Sequence, residues 1–533
     1  MKRTRMLRRN RSMIILLQVF TICATLCAQH LMNDSRFEQF ENSGEFVTNN
    51  HIDVLVMKTL RSKGIEPANP CSDAVFIRRV YLDVIGTLPE PQEVREFLLD
   101  RSDRKRAAVI HELLSRDEFA DYWSLKWCDL LRVKAEFPIN LWPNAVQAYH
   151  RWIRDTIGRN MPYDQFAREM LTSSGSNFRV PQVNFYRAIQ GQEPSAIAGA
   201  VALTFMGVRL ENWPQERRSG MEAFFSRVAY KQTAEWKEEI VYLDPAQTEP
   251  FEAVFPDGVR IRIPPEQDPR EVFADWLISP ENPWFARNIV NRIWAWLMGR
   301  GIIHEPDDIR PDNPAVHPEL LAYLENQLVK ADYNLKHIYN LILNSGTYQQ
   351  SSIPQSENPE AEVLFACYPV RRLEAEVIID ALCWISGTKE SYSSPIPEPF
   401  TFIPEENRSI DLADGSITSQ FLEMFGRPSR DTGLESERNN QPSDAQRLHL
   451  LNSSHVQDKI ERSTRLNELV KAAKGNRQTL TNMIYLNILS RYPTNAETAT
   501  AQQYLQSMGK NLRQATNDLA WALINTKEFL YRH

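Results

Sequence analysis

Cysteine and histidine are scarce in this chain, and the short motifs that combine them are absent. Six of the 533 residues are cysteine and ten are histidine. There is no His-Glu-x-x-His motif, no pair of Cys-x-x-Cys motifs and no calcium-loop spacing, so the common metal sites are lacking. His449 and His455 are six positions apart, a spacing that does not place both on one face of a helix. We therefore expect neither a bound metal nor another cofactor.

The cysteine count also limits disulfide formation. Two cysteines lie in the N-terminal 28 residues, and the others are Cys71, Cys128, Cys367 and Cys383. Four cysteines in so long a chain do not make a disulfide-dense scaffold, although an oxidising compartment permits bonds among them. We expect one or two disulfide bonds at most, and Cys128 fits a buried free thiol equally well.

Common catalytic motifs and long apolar runs are missing too. There is no Gly-x-Ser-x-Gly elbow for a serine nucleophile and no glycine-rich loop that would hold a phosphate group. The sequence has no internal repeat and no coiled-coil heptads. Beyond residue 28, no stretch approaches the roughly 18 uninterrupted apolar residues of a membrane-spanning helix. We expect no membrane span once the N-terminal segment is removed.

The charge balance argues against nucleic acid as a partner. The chain carries 61 basic and 68 acidic side chains, a formal net charge of −7. Six of the basic residues lie in the first 28 positions, which contain no acid, so the rest of the chain has 55 against 68, a net −13. Non-specific nucleic-acid binding depends on neutralising phosphates with lysine and arginine. We expect no nucleic-acid partner.

Residues 1–28 have the pattern of a secretory signal. Basic residues between Lys2 and Arg11 precede an apolar run from Met13 to Ala28. This run is about 16 residues long, short of the roughly 20 that span a bilayer. A lipoprotein signal and an N-terminal anchor that is not cleaved are the alternatives. The pattern predicts an exported protein, located in the periplasm, at the cell surface or outside the cell.

Apolar residues recur at helical spacing through most of the chain. Phe119, Trp123 and Trp127 repeat at four-residue intervals, for example, and only residues 240–263 alternate as strands do. The predicted fold is mainly α, with two packed helical modules joined by a small β-hairpin segment. The predicted divisions are a signal peptide at 1–28, a polar lead-in at 29–50, a first module at 51–245, a hairpin linker at 246–268, and a second module at 269–533 with a long loop at 391–440.

Several motifs follow the order of a known pair of domains. They are Phe76 to Pro89, Asp275-Trp276-Leu277, Asn291-Arg292-Ile293-Trp294, Gly299-Arg300-Gly301, His317 to Leu321, Arg371 to Glu376, Phe425 to Pro428 and Leu448 to Ser453. The first resembles the opening of the planctomycete cytochrome-type (PSCyt-like) domain of unknown function 1549. The others resemble the PSD-like domain of unknown function 1553 that usually follows it. The resemblance implies an exported protein linked to cell-surface or polysaccharide metabolism, with no established reaction.

The chain departs from this family at its haem motif. Many members carry a Cys-x-x-Cys-His-like stretch after a Gly-Val-Arg-Leu segment, hence the cytochrome label. Here Gly207-Val208-Arg209-Leu210 is followed by residues 211–225, which contain no cysteine and no histidine. Covalent haem attachment needs two thiols and an axial imidazole. The sequence therefore predicts a protein without haem.

Charged and aromatic residues of the second module form a candidate pocket. Arg371 and Glu374 are three positions apart at a predicted helix start, where they can form an ion pair. The guanidinium can instead hold a carboxylate or sulfate. If the loop at 391–440 folds back over the helix of Asn291, it adds carboxylates and cations to this pocket. The candidate residues are Asn291, Arg292, Trp294, Asp307, Asp308, His317, Arg371, Arg372, Glu374, Arg427 and Glu435.

Each candidate also has a purely structural interpretation. Asp307 and Asp308 can gather around a hard cation or cap turns, and His317 can act in catalysis or cap the helix that follows it. Asn291 and Arg292 interrupt an apolar stripe, where stacking of arginine on aromatic rings explains them as well as a cleft does. A mixed-charge loop such as 391–440 is usually a solvated surface.

Three functions are compatible with these features. The first is an exported binding or accessory protein whose partner is a glycan or another surface protein. The second is a hydrolase-like enzyme in which a pair among Asp307, Asp308, Glu374 and Glu435 performs acid–base work. The third is a structural partner in a surface complex, which predicts a large exposed apolar patch and no cleft. Two carboxyl groups about 5–10 Å apart in an open cleft favour the enzyme, whereas the same acids each paired with arginine favour the binder.

Overall fold

The computed structural model describes residues 39–42, 44–403, 406–509 and 511–533. The segment 1–28, for which the sequence predicts a secretory signal, and most of the lead-in lie outside these residues. Within them, no helix combines the length and apolarity needed to cross a membrane.

Helices dominate the described residues, and local signals set their ends. Ser72 caps the second helix by accepting a hydrogen bond from the Val75 amide at 3.3 Å, and Asn50 with Asp53 forms a capping box at the first. The helices of the first half are α1 His51–Lys63, α2 Asp73–Val84, α3 Pro91–Leu99, α4 Lys105–Ser115, α5 Asp117–Leu130, α6 Pro143–Gly158, α7 Tyr163–Thr172, α8 Asn184–Arg187, α9 Pro194–Val201 and α10 Gln215–Glu222.

The second half continues in the same way. Its helices are α11 Pro269–Ile278, α12 Phe285–Met298, α13 Pro318–Lys330, α14 Leu335–Leu343, α15 Glu360–Val363, α16 Ala375–Ser386, α17 Gln420–Met424, α18 Asp444–Asn452, α19 Ser454–Glu461, α20 Thr464–Ala472, α21 Arg477–Leu489, α22 Asn495–Ser507, α23 Leu512–Ile524 and α24 Lys527–Leu530. The prediction of a mainly α fold is confirmed.

Strands in the described part of the chain are confined to three small antiparallel sheets. β2 Val228–Gln232 and β3 Glu239–Leu243 form a hairpin that β1 Gly175–Ser176 extends. β4 Phe251–Val254 pairs with β5 Arg260–Ile263 around the turn at Asp257 and Gly258, and β6 Arg371–Arg372 pairs with β7 Tyr531–Arg532. Two hairpins therefore lie between residues 228 and 263, where the sequence predicts one.

A single apolar core runs through both halves of the chain. The buried apolar residues form one contiguous cluster that extends from Ile52 to Phe529. Helix α1 packs against α13, and α2 inserts two buried arginines between distant segments. Arg78 donates to the Ile488 and Phe529 carbonyls, and Arg79 donates to the His533 carbonyl. The first and second halves are thus interlocked rather than merely adjacent.

Three local features complete the fold. Helix α9 gives way to a π-helix at Ala202–Met206. The four cysteines of the described residues are free thiols, which lies within the expected limit of one or two disulfide bonds. The loop at 391–440 folds back over α5, α12 and α16 and buries Arg427 and Arg430, which a solvated surface loop would not do.

Candidate functional site

Three of the predicted pocket residues come together at one buried point. Arg292, on α12, is 1% exposed, and its Nη2 lies 2.5 Å from Asp307 Oδ1. Its Nη1 lies 3.8 Å from Glu435 Oε2 in the long loop. Asp307 accepts the Glu435 amide at 2.6 Å, and Trp296 Nε1 donates to Glu435 Oε1 at 3.0 Å. The long loop is therefore fastened to α12 through this group.

The same arginine also joins α12 to the π-helix. Arg292 Nε donates to Asn288 Oδ1 at 3.1 Å, and Nη2 donates to the Leu203 carbonyl at 3.0 Å. Burial raises the pKa of Glu435, an effect that the nearby Arg292 partly offsets. Arg292, Asp307 and Glu435 thus hold secondary-structure elements together.

The predicted ion pair between Arg371 and Glu374 is wrong. Arg371 lies in β6, not at a helix start, and its Nη2 lies 2.9 Å from Asp83 Oδ1. Glu374 instead lies 2.7 Å from Lys126 Nζ and 2.6 Å from Arg532 Nη1. Burial alone would raise the pKa of Glu374, but these two cations outweigh it and hold the pKa well below its ordinary value. Arg371 and Glu374 each pair with side chains that are distant in sequence instead of with each other.

Two further arginines of the predicted pocket bind the backbone of the long loop. Arg372 donates to the carbonyls of Phe425, Asn439 and Asn440. Arg427 donates to the carbonyls of Ile417 and Asp414, and its Nε lies 3.4 Å from Glu376 Oε1. Both guanidinium groups are buried and held by these acceptors.

The remaining candidates also have structural partners. The Asn291 side chain bonds both the amide and the carbonyl of Ile303, and the buried Trp294 ring packs against Phe365 at 5.1 Å. Asp308 pairs with Arg310 at 3.2 Å.

His317 does not cap a helix through its side chain. Its ring nitrogens lie 3.2 Å from Thr59 Oγ1 and 3.1 Å from the Leu364 carbonyl. Burial lowers its pKa, which favours the neutral ring.

The four acids considered for hydrolysis are each engaged by a cation. Asp307 and Glu435 share Arg292, Asp308 pairs with Arg310, and Glu374 lies between Lys126 and Arg532. Within the described ranges, no three histidine, cysteine, aspartate or glutamate side chains gather as metal ligands. Of these acids, Glu374 is held in its charged form by its two cations and is a poor proton donor.

His449 and His455 do not share a helical face, in keeping with their spacing, yet their rings lie close together. Helix α18 ends at Asn452 and α19 starts at Ser454. The bend between them brings His449 Nε2 to 3.4 Å from His455 Nδ1. His455 Nε2 in turn lies 2.8 Å from Glu390 Oε2. The six-residue spacing would separate the two rings only on a continuous helix.

The structure brings together three aromatic rings that the sequence analysis did not single out. The Trp142 ring centre lies 6.4 Å from that of Trp236 and 5.6 Å from that of Phe400. Trp236 is 70% exposed, Phe400 is 55% exposed, and Trp142 is half-buried. The plane of the Trp142 ring makes an angle of 83° with that of Trp236 and of 55° with that of Phe400. Lys237 Nζ lies 5.6 Å from both tryptophan ring centres. We call Trp142, Trp236 and Phe400 the aromatic platform.

The platform is built from three segments that are distant in sequence. Trp142 precedes α6, Trp236 lies in the turn between β2 and β3, and Phe400 belongs to the long loop. Two more exposed rings, Phe137 and Phe402, lie in the same loops. The available signal was that these aromatic residues stand outside every helical stripe, with Trp142 and Phe400 also next to a proline, which is unusual for large apolar side chains.

A second aromatic surface is already occupied by the protein itself. A cleft of about 450 Å³ contains Trp213 and Trp284, whose ring centres are 6.1 Å apart. The Arg217 guanidinium carbon lies 3.7 Å from the Trp213 ring centre and 5.5 Å from that of Trp284. Because the arginine covers these faces, this cleft offers less aromatic surface than the platform.

Two family models match most of the chain, one in each half. Residues 51–228 match the PSCyt2 family, described as a protein of unknown function (DUF1549). Residues 269–505 match the PSD1 family, described as a protein of unknown function (DUF1553). No curated protein and no solved structure matches the chain.

Proposed function

We propose a function for this chain, which belongs to the PSCyt2 and PSD1 families joined in that order. It is an exported protein that binds polysaccharide on the aromatic platform. Export is supported by the basic and apolar pattern of residues 1–28. Binding, rather than hydrolysis, is supported by the pairing of each candidate carboxylate with a cation.

The observation that carries the proposal is the exposure of the platform rings. Large aromatic side chains in solvent cost free energy unless a partner covers them, and a contiguous exposed apolar patch marks an interaction site. One face of a pyranose ring presents C–H groups and packs flat on an aromatic ring, while its hydroxyls stay hydrated. Lys237 beside both tryptophans adds a polar group that a hydroxyl or an acidic substituent can contact.

The size of the platform favours a sugar over a protein. Each aromatic side chain buries about 150–250 Å² at most, so three rings supply less than the roughly 800 Å² that each partner contributes to a stable protein interface. A short stretch of polysaccharide matches this area.

The test is glycan binding by the mature protein and by platform variants. We expect the wild type to retain polysaccharide in affinity electrophoresis and on a glycan array, and Trp236→Ala and Phe400→Ala to weaken binding by tenfold or more, about 1.4 kcal/mol. Tyr492→Ala is the matched control, because Tyr492 is also exposed and lies outside the platform. Both platform residues are solvent-exposed, so these variants should keep the wild-type melting temperature.

Two outcomes would contradict the proposal. One is the absence of binding to every glycan tested; capture of a protein partner that requires Trp236 would then favour the structural alternative. The other is equal glycan binding in the platform variants and the wild type. Export is checked separately, by N-terminal sequencing of the protein recovered from cell fractions.

A further inference from the structure

A groove beside the π-helix contains two arginines without acidic partners. The groove has a volume of about 350 Å³. One wall is formed by α9 and the segment that follows the π-helix, including Gly199 and Arg209. The other wall is formed by Arg132 and by residues 431–434 of the long loop. We call it the α9 groove.

Arg132 is a buried cation that forms no ion pair with a carboxylate of the described residues. The residue is 3% exposed and follows α5 in the left-handed conformation, with φ of 55°. Its Nε donates to the Ala188 carbonyl at 3.0 Å and its Nη1 to the Thr432 carbonyl at 3.3 Å, while Nη2 has no partner among the described residues. Burial lowers the pKa of Arg132 to about 10, so the guanidinium remains charged at neutral pH.

Arg209 adds a second uncompensated cation to the groove. Its Nε is buried and lacks a hydrogen-bond partner within the described ranges, and no carboxylate there lies within ion-pair distance. Asp431 also lines the groove, but Lys134 and Ser429 already engage its two oxygens. The other acid, Glu211, is exposed at the rim. Within the described residues, neither arginine of the groove therefore forms an ion pair.

Other carbonyl-bound arginines of the protein are better satisfied. The Arg79 guanidinium also has a buried Nη2 without a partner, but it has three carbonyl acceptors where Arg132 has two, and it lies 3.7 Å from the centre of the Tyr368 ring. A buried charge is costly unless a partner balances it. In the α9 groove, open space lies beside both arginine side chains.

Two glycines shape the walls of the groove. A Cβ at Gly199 would meet no atom within 4 Å, so the floor is empty space. Gly433 has φ of 75°, and a Cβ there would lie 2.4 Å from Arg132 Nη1. Only glycine lets the long loop pass so closely over the guanidinium. The adjoining π-helix is a feature often found beside functional sites.

We propose that the α9 groove binds the oxyanion group of a small solute, a sulfate or a carboxylate, between Arg132 and Arg209. Guanidinium groups donate paired hydrogen bonds to the oxygens of either group. The groove is larger than one ion and falls in the usual size range of small-molecule sites, so the anion is a substituent of a larger molecule. This site is separate from the aromatic platform and does not depend on the proposed glycan binding.

The test is calorimetric titration of the full mature protein with sodium sulfate and with sodium acetate, at ionic strength held constant with sodium chloride. We expect saturable binding of at least one anion. Binding of sulfate identifies a tetrahedral group as the ligand, and binding of acetate identifies a planar carboxylate. Gly199→Leu should abolish binding by filling the groove, while both arginines remain. Leucine is also a better helix former than glycine, so this variant should fold.

Two charge variants and a control complete the experiment. Arg209→Gln should weaken anion binding at least tenfold, and Arg132→Gln should do the same if its melting curve shows a folded protein. Arg262→Gln, which removes an exposed arginine with no ion pair in the described chain, should bind as the wild type does. The proposal is overturned if neither anion binds the wild type, or if Gly199→Leu and Arg209→Gln bind with unchanged affinity. Glycan binding by the platform variants is measured separately, so either proposal can fail alone.

Discussion

Asp83 is the residue on which the buried charges of both halves converge. It lies on α2, is almost fully buried, and accepts hydrogen bonds from the Tyr348 and Tyr368 hydroxyls at 2.8 and 2.9 Å. The guanidinium groups of Arg371 and Arg532 lie 2.9 and 2.7 Å from its Oδ1. Arg532 continues the network to Glu374. Such a network is stable only when every member has its partner.

Glu374→Gln tests this network at the level of one side chain. The change leaves Lys126 and Arg532 buried with less counter-charge, so we expect the free energy of unfolding to fall by about 3–5 kcal/mol, measured by urea denaturation. Glu319→Gln is the control, since its pair with Lys58 is solvent-exposed and should contribute less than about 1 kcal/mol. Equal losses in the two variants would contradict the assigned role of Glu374.

The depressed pKa of Glu374 also sets the sign of a pH effect. Its folded-state pKa lies well below the ordinary value near 4.5, so its contribution to stability is complete above that value. The contribution is lost as the pH falls below 4.5 toward the folded-state pKa. Unfolding midpoints of the wild type and Glu374→Gln should therefore converge on acidification, and a constant difference across this range would contradict the assignment.

At the scale of elements, ion pairs formed by arginine side chains hold the long loop in place, in addition to its apolar contacts. Arg438 lies 2.6 Å from Asp129 Oδ2 on α5 and 2.7 Å from Glu376 Oε2 on α16. Arg430 also pairs with Asp129, at 2.9 Å. Because the loop carries Phe400 of the platform and one wall of the α9 groove, these ion pairs position both proposed sites.

Arg438→Gln should loosen this loop without unfolding the whole protein. The change removes a cation from between the buried Glu376 and the partly buried Asp129, and we expect faster limited proteolysis within residues 391–440. Arg447→Gln removes an exposed arginine of α18 that pairs weakly with Asp444, so its cleavage rate should match that of the wild type. Wild-type protection in Arg438→Gln would show that other contacts hold the loop.

At the scale of the whole molecule, the continuous core predicts one cooperative unit. Helix α1 packs on α13, and the arginines of α2 bind carbonyls near the C-terminus. Residues 51–268 expressed alone would expose those buried faces and leave charged groups unpaired. We expect this fragment to lack the cooperative thermal transition of the full chain, measured by circular dichroism. A folded fragment with its own transition would instead establish two independent modules.

The sequence by itself determined the mainly α fold, the order of the two family domains and the lack of the haem motif, because helical periodicity and short motifs are local properties. It did not determine which charges meet. Arg371 pairs with Asp83, 288 positions away, although its sequence spacing favoured Glu374. The aromatic platform and the α9 groove likewise join segments that only the folded chain brings together. Contacts over such separations depend on how helices pack and bend, and that was decided by the tertiary structure alone.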